Sequence, residues 1–218
     1  NTKTGEDFDI NGRTLIVTGN LRHRNASIYL NKMYYALPNP GRLEINGDYM
    51  LESGKLFMKN SAEETVRVGG NFRISGMITS AEMNAGVLEV KGNFEQAGSS
   101  GFMPGRDHKV VLSGTSMQKV AMANTLSGFG ILELANTSNE GVVFETNLNA
   151  ASLITNQTPL TLPYNAVLGW TLQDNEETGG FVLGGGVLDL NGKTLTVNGD
   201  LVQTGGTIFI NGGRLIVT

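Results

Sequence analysis

The side chains that most often carry catalysis are few in this sequence. It contains two histidines, His23 and His108, and no cysteine, so a cysteine nucleophile, a thiolate metal site and a disulfide are excluded. A catalytic triad needs a histidine beside a serine and a carboxylate. His23 falls in the basic cluster Arg22-His23-Arg24, for which we expect an exposed corner, and His108 opens a predicted strand. We therefore interpret both histidines as structural.

Paired carboxylates are the next candidates, because glycoside hydrolysis uses two acids that face each other. Glu63-Glu64 and Glu176-Glu177 are adjacent in sequence, so on a strand the members of each pair would point to opposite faces. We interpret these residues as solvated loop charges. Acids one coil apart in a repetitive fold could converge in space, and the sequence alone does not show whether they do.

Metal ligands are equally sparse. No HExxH or similar spacing is present. Calcium would be bound by acids in turns, but each turn carries a single acid, as at Asp48, Asp189 and Asp200, and the Gly-Gly-x-Gly-x-Asp nonapeptide is absent. We interpret these acids as caps of local turns, and the sequence predicts no metal and no cofactor.

Aromatic side chains provide the best candidate for a binding surface. Tyr34 and Tyr35 lie in the segment 32–40, which contains eight residues that a second copy of the same sequence pattern lacks, so we expect a protruding loop. Exposed aromatics on a rigid scaffold are what sugar rings and protein partners stack on. Trp170 is the third candidate. The alternative is that Tyr34 and Tyr35 fold back and cover an edge of the fold, and the same two interpretations apply to Trp170.

The elements that would position these residues are short strands. Apolar and polar residues alternate in brief runs that end at glycine or asparagine, for example at 15–17, 43–45, 66–68, 87–90 and 195–197. A two-residue period with turn punctuation is typical of half-buried strands. No window of 12 or more residues carries the apolar stripe of a helix, so we expect few helices.

A recurring tripeptide, Gly-[Asn/Asp]-[Leu/Phe/Tyr], follows these runs. It begins at Gly19, Gly47, Gly70, Gly92 and Gly199, and the first four copies are 28, 23 and 22 residues apart. We interpret it as a corner, because glycine and Asn/Asp tolerate positive φ and the apolar residue starts the next strand. One such unit per turn predicts an all-β fold, a right-handed parallel β-helix (β-solenoid) of about ten coils with roughly 20–23 residues per coil.

A longer period lies over the first. Residues 8–21 align without gaps on residues 188–201, and eight of the 14 positions are identical. We therefore predict a single continuous solenoid over residues 1–218, with a super-repeat at approximately 8–187 and the start of a second copy at 188–218. Such an incomplete second copy indicates a fragment of a longer protein.

Charge and hydropathy exclude two classes of partner. The formal net charge is −4 and the pI is about 5.2, which argues against a nucleic acid, whose binding needs a basic face. No apolar run approaches the roughly 18 residues that a membrane-spanning helix requires.

The less regular middle of the chain resembles a known module. The runs 108–120, 129–134 and 140–144 are similar to a repeat module of large bacterial extracellular and cell-surface β-solenoid proteins, which pair it with Gly-Asn-Leu coils. The resemblance implies an extracellular or cell-surface bacterial location and no reaction. It rests on structural positions, and no functional residue is carried over from it.

These observations favour a non-catalytic function. We expect a structural or adhesin-type stalk or display segment, whose partners are neighbouring repeats of the same longer chain, with a cell-surface glycan or protein as a further candidate. The alternative is a carbohydrate-binding module anchored by Tyr34, Tyr35 and Trp170. A polysaccharide lyase or hydrolase is the third class, and it predicts facing acids or an Arg–Asp cluster on one face of the solenoid.

Overall fold

The protein consists of short parallel strands joined by turns. A computed structural model describes residues 7–32, 39–146, 148–162 and 170–218, and no helix occurs among them. In chain order the strands are β1 (Asp7–Asp9), β2 (Thr14–Val17), β3 (Leu21–His23), β4 (Ala26–Tyr29), β5 (Arg42–Ile45), β6 (Tyr49–Leu51), β7 (Gly54–Phe57), β8 (Thr65–Val68), β9 (Phe72–Ile74), β10 (Ile78–Thr79), β11 (Val87–Val90), β12 (Phe94–Gln96), β13 (Phe102–Met103) and β14 (Lys109–Leu112). They continue as β15 (Gln118–Met122), β16 (Phe129–Leu134), β17 (Val142–Phe144), β18 (Ala150–Ile154), β19 (Leu160–Leu162), β20 (Trp170–Thr171), β21 (Glu176–Thr178), β22 (Phe181–Leu183), β23 (Val187–Asp189), β24 (Thr194–Val197), β25 (Leu201–Gln203), β26 (Thr207–Phe209) and β27 (Arg214–Val217).

The strand order is that of a solenoid. The largest sheet in the described part of the chain has nine strands, β25-β22-β19-β17-β15-β12-β9-β6-β3, and the next has seven, β18-β16-β14-β11-β8-β5-β2. Smaller sheets, β1-β4-β7, β10-β13, β20-β23-β26 and β21-β24-β27, complete the other sides. The predicted all-β parallel solenoid is confirmed. It has about nine turns, slightly fewer than the ten expected, and at about 4.8 Å per turn they form a rod roughly 40 Å long.

The interior is built from ladders, in which the same position of successive turns carries an apolar side chain. In the seven-stranded sheet the buried residues in register are Leu43, Val66, Leu88, Val110, Leu132 and Leu153. Strand residues between these positions face outward, as the alternating sequence predicts. Each interior side chain is therefore covered by the turns before and after it, and this burial is the main stabilising contribution.

The Gly-[Asn/Asp] tripeptide forms corners, and its side chains bond one turn to the next. The backbone N–H of Asp48 donates to Oδ1 of Asn20 at 2.8 Å, that of Asn71 to Oδ1 of Asp48 at 2.7 Å, and that of Asn93 to Oδ1 of Asn71 at 2.8 Å. The backbone N–H of Lys119 extends the series to Oδ1 of Asn93 at 2.9 Å. The Asn/Asp residue thus replaces the main-chain acceptor that a corner cannot provide.

The reason for glycine at these corners differs from the one expected. Gly19, Gly47, Gly70 and Gly92 do not have positive φ, which occurs in this tripeptide only at Gly199. At Gly47, Gly70 and Gly92 the reason is the close approach of the preceding turn, whereas a Cβ atom at Gly19 would meet nothing within 4 Å. A Cβ atom at Gly47 would lie 2.1 Å from the carboxamide Oδ1 of the preceding turn, and one at Gly70 would lie 2.3 Å from the carboxylate Oδ1 below it. Glycine therefore leaves room for the bonding side chain.

Asn71→Ala is expected to lower the free energy of unfolding by about 1–2 kcal/mol, because the substitution leaves the N–H of Asn93 without its acceptor. Urea denaturation of both proteins measures this difference. Asn139→Ala is the matched control, since Asn139 is exposed and has no side-chain hydrogen bond among the described residues. Equal losses in the two variants would contradict the bonding role of the corner.

The two copies of the longer repeat have the same local structure where both are described. Strands β1, β2 and β3 begin 180 residues before β23, β24 and β25. Asn11 and Asn191 both have positive φ, 55° and 47°, and their N–H groups donate to Asp9 and Asp189 at 2.8 and 2.9 Å. The division of a longer chain into such copies stays a prediction.

Candidate functional site

His23 is a core residue and not part of an exposed corner. Its ring is buried, with Nδ1 3.0 Å from Tyr49 Oη and Nε2 3.0 Å from a main-chain carbonyl oxygen, and burial lowers its pKa. The expectation was wrong because His23 lies on strand β3, where successive side chains point to opposite faces. Arg22 and Arg24 point outward, where both pair with Glu52, and the residue between them points inward.

His108 is also buried, as a residue at the start of a strand can be. Its Nδ1 lies 2.7 Å from the carbonyl oxygen of Ala85, whereas its Nε2 has no hydrogen-bond partner. Burial lowers its pKa to about 4. Among the described residues, neither histidine ring is hydrogen-bonded to a serine or a carboxylate, so neither has the contacts of a triad base.

The adjacent acid pairs have one member that faces water and one that does not. Glu63 and Glu177 are exposed, as expected. Glu64 is not a solvated loop charge: its exposed fraction is 1%, and burial raises its pKa to about 7. Glu176 is half-buried, accepts a hydrogen bond from Thr155 at 3.2 Å, and has a pKa raised by burial. The members of each pair do point in different directions, but Glu64 is buried and Glu176 is half-buried.

Acids from alternate turns flank an arginine on the outer face of the seven-stranded sheet. Glu44, Arg67 and Glu89 are in register on β5, β8 and β11. Arg67 Nη1 lies 4.0 Å from one carboxylate and Arg67 Nε lies 3.0 Å from the other. Ser113 Oγ on the next turn donates to Glu89 at 2.8 Å. This charged cluster is the feature that sequence adjacency could not reveal.

A groove of about 520 Å³ runs across these three turns, and we call it the sheet groove. Its polar lining consists of Glu44, Asn46, Arg67, Glu89 and Lys91. Two anions, two cations and an amide provide donors and acceptors at intervals of about 4.8 Å along the rod. The groove can therefore hydrogen-bond and pair with a molecule that carries polar groups.

Of the three predicted aromatic anchors, Trp170 lies among the described residues. Tyr34 and Tyr35 lie outside the described residues. Trp170 has an exposed fraction of 5% and packs edge-on against Phe181, with ring centroids 6.0 Å apart. Its strand pairs in register with Leu188, so the indole belongs to the interior. Its faces are covered by other core residues and do not offer a stacking platform.

Sequence reasoning missed a different aromatic pair on the outer side of β4 and β7. The rings of Tyr29 and Phe57 stack 4.3 Å apart at an angle of 2°. The ammonium of Lys32 lies 4.8 Å from the Tyr29 centroid and that of Lys59 lies 5.3 Å from the Phe57 centroid. The sequence contained a signal for this pair. Each aromatic residue directly follows an apolar residue in its strand, and the two strands pair in register, so the two rings lie side by side.

Comparisons with protein-family models, curated proteins and solved structures gave no match. The fold and the groove define an architectural class, an all-β parallel solenoid with a polar outer face.

Among the residues that the structure describes, no three histidine, aspartate or glutamate side chains come together as a metal site would require. In the same residues no helix has the length and apolar character needed to cross a membrane.

Proposed function

We propose that this chain is a non-catalytic stalk or display segment of an extracellular bacterial protein, in which stacked turns provide reach and stiffness. The observation that carries the proposal is the unbroken register of the nine-stranded sheet, from β3 at one end of the rod to β25 at the other. The two described ends of the chain therefore lie at opposite ends of the rod. That arrangement suits a spacer between two other parts of a protein.

Stiffness follows from how the turns are joined. Parallel strands bond every turn to the next, and a bend would have to separate strands on one side of the rod. Outer ion pairs also join neighbouring turns, as between Arg73 and Glu95 at 3.0 Å and between Lys119 and Glu145 at 2.7 Å. Exposed pairs contribute little to stability, so the ladders and backbone bonds carry the rigidity.

The bacterial extracellular location is supported by the resemblance of residues 108–144 to surface-protein modules. Antibodies raised against the chain should label intact cells of the bacterium that produces it. Labelling that requires permeabilised cells would contradict the proposal.

The spacer role is tested by the distance between the two ends. The chain has no cysteine, so spin labels can be attached to single cysteines introduced at Ile16 and Val217, both exposed. A stiff rod gives a narrow distance distribution centred at about 40 Å. A broad distribution, or one centred well below that distance, would argue against a stiff spacer.

Carbohydrate binding is the second candidate, and the sheet groove favours it. Its alternating charges and its amide match the donors and acceptors of a hydroxyl-rich chain. A glycan array tests the proposal, and Arg67→Ala should weaken any binding at least tenfold, whereas the control Arg73→Ala, on another sheet, should not. Loss of binding only in Tyr34→Ala and Tyr35→Ala would assign it to the 32–40 loop instead. An array without binding would reject this candidate.

A further inference from the structure

Among the residues that the structure describes, two buried polar side chains have an atom without a hydrogen-bond partner, and both occupy the same position of the turn. The atoms are Oε1 of Glu64 and Nε2 of His108. Each residue directly precedes a strand of the seven-stranded sheet, and the register places Gly86 between them. Gly41 and Gly130 occupy this position on the outer sides. The resulting ladder alternates glycine with a polar side chain, and we call it the Gly–polar ladder.

The glycines enclose the polar groups in main chain. A Cβ atom at Gly86 would lie 2.8 Å from the carbonyl oxygen of Glu64 and 3.1 Å from its Cβ. The same atom would lie 3.0 Å from the terminal methyl of Met58. The neighbouring turn therefore packs tightly against the main chain and the Cβ atom of Glu64.

No cation neutralises the Glu64 carboxyl group. Its Oε2 accepts a hydrogen bond from the backbone N–H of Asn60 at 3.3 Å, and it has no salt bridge among the described residues. On its own loop, the ammonium of Lys59 lies over an aromatic ring and Glu63 is exposed. On the adjacent strand β5, Arg42 is exposed.

The strands on the other side supply no cation either. Lys109, on β14, is paired with Glu133 at 2.9 Å. His108 is neutral at neutral pH because burial lowers its pKa to about 4. The ionised form of Glu64 would thus be a buried and unpaired charge, which is strongly unfavourable.

We propose that Glu64 is a proton-binding site that couples the stability of the solenoid to pH near neutrality. The carboxyl group is protonated in the folded protein under mildly acidic conditions. Raising the pH removes this proton, and the buried carboxylate weakens the packing between β5, β8 and β11. The pKa of about 7, raised by burial, places this transition near neutrality.

The sign of the effect follows from linkage. Because the folded-state pKa of Glu64 exceeds its ordinary value of 4.5, its contribution is fully present below about pH 4.5 and is lost as the pH rises through about 7. His108 acts in the opposite direction. Its contribution is present above about pH 6.5 and is lost as the pH falls through about 4. The Gly–polar ladder is therefore most stable between these limits, in mildly acidic solution.

Urea unfolding from about pH 5 to about pH 8 tests the proposal. E64Q keeps the shape of the side chain without its charge, and relative to E64Q the unfolding equilibrium constant of the unmodified chain should rise roughly a hundredfold over this interval. The opposite contribution of His108 is common to both proteins and cancels in this ratio, whereas it offsets most of the rise in the unmodified chain alone. E63Q, which alters the exposed neighbour, should leave the profile unchanged.

A direct titration makes the test independent of the variants. The side-chain carboxyl carbon of Glu64, followed by NMR in the unmodified chain, should titrate with a midpoint near 7. A midpoint near 4.5 would overturn the proposal even if E64Q failed to fold. Parallel pH profiles for the unmodified chain and E64Q would overturn it as well.

Discussion

Replacing Phe94 by alanine is expected to lower the free energy of unfolding by about 3–5 kcal/mol. The ring is buried in the middle of the rod and contacts three others, those of Phe72, Phe102 and Phe129, with centroids 5.2, 5.2 and 5.1 Å away. The backbone on both sides is fixed by parallel ladders, so the neighbouring turns cannot move in to fill the cavity. The loss therefore includes both the burial of the ring and the cavity it leaves.

Urea denaturation of Phe94→Ala and the unmodified chain measures this loss. Leu126→Ala is the control, because 72% of the Leu126 side chain is exposed and its removal should cost less than about 0.5 kcal/mol. A loss for Phe94→Ala as small as that of the control would mean that the aromatic rings do not form a packed ladder. The position matters because Phe94 is the residue that follows a predicted Gly-Asn corner.

The sequence was sufficient to predict the strands and corners, because their signals are local. An apolar–polar alternation and a Gly-Asn pair act within a few residues, and the strands β5, β8 and β11 lie where the alternating runs predict them. The number of turns was less accurate. Turn length varies from 28 residues between Leu15 and Leu43 to 18 between Val142 and Leu160, so the number of turns cannot be obtained reliably from a mean period.

The polar groups were harder to place, because their direction depends on which phase of the alternation faces inward. Both neighbours of His23 are charged and exposed, and so is Glu63 before Glu64, so the charge of these segments suggested exposure for residues that are buried. Trp170 has the same ambiguity, since a strand of two residues has too few positions to define a phase. Predicting the sheet groove would also require the register of the strands, because its residues come from three turns and lie together only in that register.

Gly130→Ala is expected to destabilise the chain by about 3 kcal/mol, near the upper end of the cost of over-packing. Gly130 lies in β16 and is part of the Gly–polar ladder. A Cβ atom there would lie 2.1 Å from the carbonyl oxygen of Gly105, 2.8 Å from that of His108 and 3.0 Å from that of Arg106. All three obstacles are main chain, so no side chain can rotate away and the turn itself has to shift.

Gly76→Ala is the matched control for this substitution. Gly76 does not have positive φ either, and the atoms nearest to a Cβ at this position would be 3.7 and 3.8 Å away, an ordinary contact distance. Alanine at Gly76 should therefore be neutral or slightly stabilising, since it reduces the entropy of the unfolded chain. Urea denaturation of both variants separates the two effects. If Gly130→Ala were as stable as Gly76→Ala, the successive turns would not approach each other as closely as described, and His108 would not be enclosed by main chain.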